Sequence, residues 1–118
     1  MEQKRTLSLL VDNTPGLLSR VAGLFSRRGY NIETITAGVT ADPRYTRMTV
    51  VLYCSDEMIL EQIKKQLAKL VDVRDIKELK PDESVRRELM LVKIRVNENE
   101  RRNVIAISDV FRGRIVDV

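Results

Sequence analysis

At 118 residues the chain is one ordinary domain, or one small domain and part of another, and it is long enough to bury a real core. Hydrophobic residues at 43% and charged residues at 32% exclude a disordered chain, and with 4% aromatic residues the core has to be aliphatic. Lys plus Arg number 21 against 17 Asp plus Glu; the mild excess is spread in pairs such as Arg27-Arg28, Arg86-Arg87 and Arg101-Arg102, whereas a nucleic-acid binder gathers its basic residues on one face, so no nucleic-acid partner is expected.

Residues 4–12 read as a strand in which Leu7, Leu9 and Val11 alternate with Thr6, Ser8 and Leu10. Asn13-Thr14-Pro15-Gly16 breaks it. Asn13 or Thr14 can cap a helix whose first turn holds Pro15, where a missing N–H costs nothing. That helix runs to about Arg28 on a stripe of Leu17, Leu18, Val21, Ala22 and Phe25, and Gly29 stops it. Residues 31–40 form a second strand, 41–46 a loop around Asp42-Pro43, and 47–54 a third strand with Met48, Val50 and Leu52 on one face. Ser55 can cap a second helix, Asp56 and Glu57 suit its positive end, and Ile59, Ile63, Leu67 and Leu70 make its buried stripe. Residues 71–79 complete a fourth strand.

The order over residues 1–79 is βαββαβ. Right-handed crossovers turn it into an α+β, ferredoxin-like antiparallel sheet with both helices on one face. The second strand then lies at an edge, open to pairing with another copy. Residues 80–84 are a polar linker. Residues 85–118 read β-α-β: a strand over 88–96, a helix with Val104, Ile107 and Phe111 on its apolar face ending at Gly113, and a strand over 115–118. This is the start of a second ferredoxin-like domain, cut short, or a complete tail that pairs with another chain.

Catalytic machinery is hard to find. With no histidine and one cysteine there is no Ser-His-Asp or Cys-His nucleophile and no usual zinc site, so neither catalytic nor metal residues are expected. Gly16, Gly23, Gly29, Gly38 and Gly113 are too scattered for a phosphate-cradling loop. Cys54 reads as a small buried hydrophobe, and the lack of a disulfide framework fits a reducing cytoplasm. No stretch has the length of a signal or a membrane span, so no membrane partner is expected. The element order also fits an RNA-recognition domain, but the third strand offers Tyr53 alone where such domains carry an aromatic platform.

The informative stretch is Asp12-Asn13-Thr14-Pro15-Gly16, together with Asn31. A helix begins there, and its free N–H groups and positive dipole end suit the α-carboxylate of a small amino acid. Gly16 lets a ligand approach the backbone, the Asn13 and Asn31 amides can both donate and accept, and Asp12 could face an ammonium group. When two copies pair along the edge strand, Asn31 of one can approach the turn of the other. On spacing alone the plainer reading stands equally: Asn13 a helix cap, Gly16 a turn residue, Asn31 a strand entrance.

Leu9-Leu10-Val11-Asp12-Asn13-Thr14-Pro15-Gly16-Leu17-Leu18-Ser19-Arg20-Val21 resembles the opening of an ACT domain. Gly23-Leu24-Phe25-Ser26-Arg27-Arg28-Gly29-Tyr30-Asn31-Ile32-Glu33 is more specific and resembles the small subunit of acetolactate synthase (acetohydroxyacid synthase). So do Arg47-Met48-Thr49, Lys69-Leu70-Val71-Asp72-Val73, Arg87-Glu88-Leu89-Met90-Leu91-Val92-Lys93-Ile94 and Phe111-Arg112-Gly113-Arg114-Ile115-Val116-Asp117-Val118. The resemblance implies a regulatory, non-catalytic subunit. It implies a homodimer through the ACT edge strands that activates a catalytic subunit carrying thiamine diphosphate, magnesium and FAD. No cofactor is expected in this chain itself. It implies feedback inhibition by valine, or another branched-chain amino acid, bound at Asn13, Gly16 and Asn31 with Leu17, Leu18 and Ile32 nearby. The alternatives are a free-standing ACT sensor serving another enzyme or a transcription regulator and, less well supported, a small nucleic-acid-binding module.

Overall fold

Period-two alternation along β1 (Gln3–Asp12) sends Leu7, Leu9 and Val11 to one side of the sheet, where each is fully buried. In the computed structural model, which describes residues 3–118, β1 runs between β3 (Tyr45–Cys54) and β4 (Val73–Glu78), antiparallel to both. β2 (Ile32–Val39) pairs antiparallel with the far side of β3, so the sheet order is β2-β3-β1-β4. Leu9 stands opposite Met48 on one side and Ile76 on the other. β2 is an edge strand, as the element order predicts.

Both helices cover the same face. α1 (Leu17–Arg27) contributes Leu17, Val21, Leu24 and Phe25 to the core, and α2 (Glu57–Ala68) contributes Leu60, Ile63 and Leu67. Against them stand Met48, Val50, Leu52 and Cys54 of β3. The core is aliphatic apart from Phe25. Each fully buried Leu, Ile or Val stabilises the fold by about 1.5–3 kcal/mol relative to exposure. The stripes are rotated slightly from expectation. Leu18 is 53% exposed and Leu24 takes its place, while Ile59 is 37% exposed and Leu60 is buried instead. The helical spacing of Leu17, Val21, Leu24 and Phe25, and of Leu60, Ile63 and Leu67, centres each buried stripe there and leaves Leu18 and Ile59 at its margin.

The caps differ for a related reason. Gly16, with φ 77°, is the N-cap of α1, so Pro15 lies in the preceding turn and neither Asn13 nor Thr14 caps the helix. Asp56, not Ser55, caps α2 by accepting the Met58 N–H at 2.8 Å. Cys54 is buried, as expected, and its thiol donates to the Asp56 carbonyl at 3.1 Å. β4 starts at Val73, because residues 69–72 turn first and leave Val71 exposed.

The chain divides into two compact units, Met1–Arg86 and Arg87–Val118. Residues 80–86, including the expected linker, belong to the first. The Leu79 N–H donates to the Thr6 carbonyl at 2.9 Å, Ser84 Oγ donates to the Lys80 carbonyl at 2.6 Å, and Arg86 Nη2 donates to the Leu79 carbonyl at 2.8 Å. The second unit contains α3 (Glu98–Val110), capped by Asn97, whose side chain accepts the Glu100 N–H at 2.8 Å. The helix ends ahead of Arg112 (φ 57°), and the Gly113 N–H bonds the Ser108 carbonyl at 2.7 Å. The strands expected over 88–96 and 115–118 form no ladder. A strand is stabilised by a hydrogen-bonded neighbour, and none pairs with either segment among the described residues. Leu89, Met90, Leu91, Val92 and Ile94 are accordingly all exposed.

Candidate functional site

β1 ends at Asp12 beside Tyr45 of β3 and, across the other ladder, near the start of β4. The chain therefore leaves the sheet between two connections, the loop before β3 and the turn before β4, and both hold it. The Asn13 N–H donates to the Arg44 carbonyl at 2.8 Å, and Asn13 Nδ2 donates to the Pro43 carbonyl at 3.1 Å. On the other side the Asp12 N–H donates to the Asp72 carbonyl at 2.8 Å, and Thr14 Oγ1 donates to Asp72 Oδ1 at 3.1 Å. The Thr14 N–H closes back on the Asp12 carbonyl at 2.9 Å.

Gly16 then reverses the chain into α1 through a left-handed conformation, where a side chain is strained. A Cβ at Gly16 would also lie 3.0 Å from Arg20 Nη1. The Leu17 N–H reaches the Thr14 carbonyl at 3.4 Å, and the Arg20 N–H makes the first helical bond, to the Gly16 carbonyl, at 3.0 Å. Among the described residues, no acceptor meets the N–H groups of Gly16, Leu18 or Ser19. The first turn of α1 holds no acidic side chain. These amides and the positive helix end make a receptor for a carboxylate.

Two arginines frame the turn. Arg74 grips both oxygens of Asp12, with Nε to Oδ1 at 2.8 Å and Nη2 to Oδ2 at 2.9 Å. Arg20 donates from Nε to Asp72 Oδ2 at 2.7 Å. The Arg20 hydrogen bond, aided by that from Thr14, holds the Asp72 carboxyl below its ordinary value of 3.8. The Asp12 carboxylate correspondingly raises the Arg74 guanidinium.

The predicted site residues separate into three groups. Asp12, Asn13 and Gly16 come together at the turn, but Asp12 is engaged by Arg74 and offers no free carboxylate to an ammonium group. Asn13 donates from its side-chain amide to Pro43, and its side-chain carbonyl has no hydrogen-bond partner among the described residues. Leu17 is a core residue at 7% exposure, whereas Leu18 is exposed beside the open amides. Asn31 and Ile32 lie at the other end of the sheet. Ile32 is opposite Leu52, and Leu52 is opposite Arg5. Asp12 is seven residues further along β1, or about 23 Å at roughly 3.3 Å per residue.

Sequence reading missed Arg20, Asp72 and Arg74. Arg20 and Asp72 are 52 residues apart and meet only through the fold. Nothing local in the sequence marked the pair.

Residues 7–75 match the family described as AHAS small subunit-like ACT domain, and residues 87–118 match that described as small subunit of acetolactate synthase. The probable acetolactate synthase small subunit of Methanothermobacter thermautotrophicus is 50% identical over 113 residues, covering 95% of this chain and 67% of the relative. The acetolactate synthase isozyme 3 small subunit of Escherichia coli is 51% identical over 115 residues, covering 98% of this chain and 70% of that one. This chain belongs to the acetolactate synthase small-subunit family. The crystal structure of the acetolactate synthase small subunit from Thermotoga maritima agrees, with a TM-score of 0.81 at 32% identity over 98% of this chain and 72% of that one. The ACT domain of GTP pyrophosphokinase from Chlorobium tepidum, 16% identical with a TM-score of 0.58, shares the fold of the first unit. Membership makes the chain a regulatory subunit and not itself a catalyst. Among the described residues, no helix is long and apolar enough to cross a membrane.

Proposed function

We propose that the chain activates the catalytic subunit of acetolactate synthase in the cytoplasm and makes it sensitive to valine. The observation that carries this reading is the start of α1, where unpaired amides and a left-handed Gly16 follow Asn13, whose side-chain carbonyl has no partner among the described residues, and where Leu18 is exposed. The amides take the carboxylate, Asn13 Oδ1 takes the ammonium, and Leu18 offers apolar contact to a branched side chain.

The separation of Asn31 from the turn supports a site shared between copies. Two β2 strands pairing antiparallel about a two-fold axis would extend the sheet, with each strand reversed relative to its partner. The start of β2 in one copy, with Asn31 and Ile32, then falls at the sheet end that carries the turn of the other. Valine at such a seam couples ligand to dimer geometry. A coupling free energy of roughly 1–3 kcal/mol suffices to shift the attached enzyme. Thiamine diphosphate, magnesium and FAD belong, in this reading, to the catalytic subunit.

The test is the thermal midpoint of the purified chain against rising valine, isoleucine, leucine and glycine. A ligand that binds only the folded state raises the midpoint in proportion to ln(1 + [L]/Kd). The reading expects a dose-dependent rise with valine and none with glycine. No rise with any branched-chain amino acid, in a folded dimer, refutes it.

A further inference from the structure

The start of α1 is braced from outside, by the connection that leads from α2 into β4. Asp72 of that connection meets the turn through its main-chain carbonyl, which accepts from the Asp12 N–H, and through its two carboxylate oxygens, which accept from Thr14 Oγ1 and Arg20 Nε. Arg20 turns its remaining nitrogens inward as well. Nη1 donates to the Pro15 carbonyl at 3.2 Å and Nη2 to Thr14 Oγ1 at 3.2 Å. The guanidinium is therefore committed to the protein on every nitrogen and is not held out for a ligand. Two residues after Asp72, Arg74 grips Asp12 by both oxygens, so the same connection holds the turn where it leaves β1.

Such a network is too exposed to carry much of the global stability: the Arg20 side chain is 44% accessible. Its effect is geometric. The planar fork of an arginine fixes the groups it bonds in direction as well as distance. Thr14 and Pro15 immediately precede Gly16, and their placement determines where the open amides of Leu18 and Ser19 point.

We propose that Asp72 is a positioning residue of the amino-acid site, which sets ligand affinity through Arg20 and Thr14 without touching the ligand. The inference rests on the reading of the turn as the carboxylate receptor. It makes the α2–β4 connection part of the sensor, and it predicts that affinity changes arise from residues remote from the ligand.

Asp72→Asn in the full chain tests this, because it keeps the shape of the side chain and removes the charge that orients Arg20. Hydrogen exchange at the bonded amides of Thr14, Leu17 and Arg20 should quicken at least fivefold, while the Leu9 amide in the core keeps its wild-type rate. Valine affinity, read by calorimetry on the dimer, should fall five- to twentyfold. In an Arg20→Gln background, adding Asp72→Asn should change affinity less than twofold, because residues acting as a unit are not additive. Wild-type exchange at the turn in Asp72→Asn, unchanged valine affinity, or independent effects of the two substitutions would each overturn the role of Asp72. If the wild-type chain binds none of valine, isoleucine or leucine although exchange at the turn responds as described, the amino-acid reading fails and the brace remains.

Discussion

Replacing Gly16 by alanine adds a single methyl group in two unfavourable respects. The backbone there has φ 77°, a conformation that costs a residue with a Cβ about 1–2 kcal/mol. The added Cβ would also stand 3.0 Å from Arg20 Nη1, so the guanidinium must move away from Pro15 and Thr14. The tip of an arginine yields easily, so the backbone cost dominates, and about 1–2 kcal/mol is the expected loss. For a domain of this size that lowers the thermal midpoint by roughly 5–12 °C. Gly23 supplies the internal control. It lies inside α1 with nothing within 4 Å of an added Cβ, so Gly23→Ala should stabilise by about 0.5–1 kcal/mol through helix propensity. Urea denaturation followed by circular dichroism measures both. A neutral or stabilising Gly16→Ala would refute the argument that the turn enforces a left-handed residue at the helix start.

Further consequences follow from the same geometry. Leu67→Ala, at a position with no exposed surface, should cost about 2–5 kcal/mol in a urea titration, whereas Ile59→Ala, on the half-open side of the same helix, should cost under about 1 kcal/mol. Asn13→Ala should weaken valine binding about tenfold, while the midpoint of the ligand-free chain moves by no more than about 2 °C, since the residue is exposed and the Asn13 N–H bond to Arg44 survives. The Asp72 carboxyl is depressed in the folded chain, so its contribution is fully present above its ordinary value of 3.8 and is lost as pH falls through the lower folded value. Chemical shifts of Thr14 and Arg20 should therefore titrate together below about pH 4, and Asp72→Asn should abolish that transition.

Much of the first unit was legible because its signals are local and repeated. Leu7, Leu9 and Val11, or Met48, Val50 and Leu52, declare a strand face by alternation, and element order alone places β2 at the edge. Boundaries were less legible because several neighbouring residues can serve as caps: Asp56 displaced Ser55, and Gly16 displaced Asn13 and Thr14. In the second unit, residues 88–96 have strong strand propensity, but propensity does not supply a partner, and the segment forms no ladder. At the candidate site the turn itself was readable from Asp12, Asn13 and Gly16. Its electrostatics were not, because Arg74 and Asp72 reach it from more than fifty residues away and remove Asp12 from the set of free acceptors.

The most direct test of the regulatory account is acetolactate formation by the catalytic subunit, assayed alone, with this chain added, and with valine then titrated in. The account predicts that the chain raises the rate, that valine lowers it again, and that Asn13→Ala keeps the activation while losing most of the inhibition. An enzyme whose rate ignores the added chain, or whose inhibition by valine is the same with Asn13→Ala as with the wild-type chain, would contradict it.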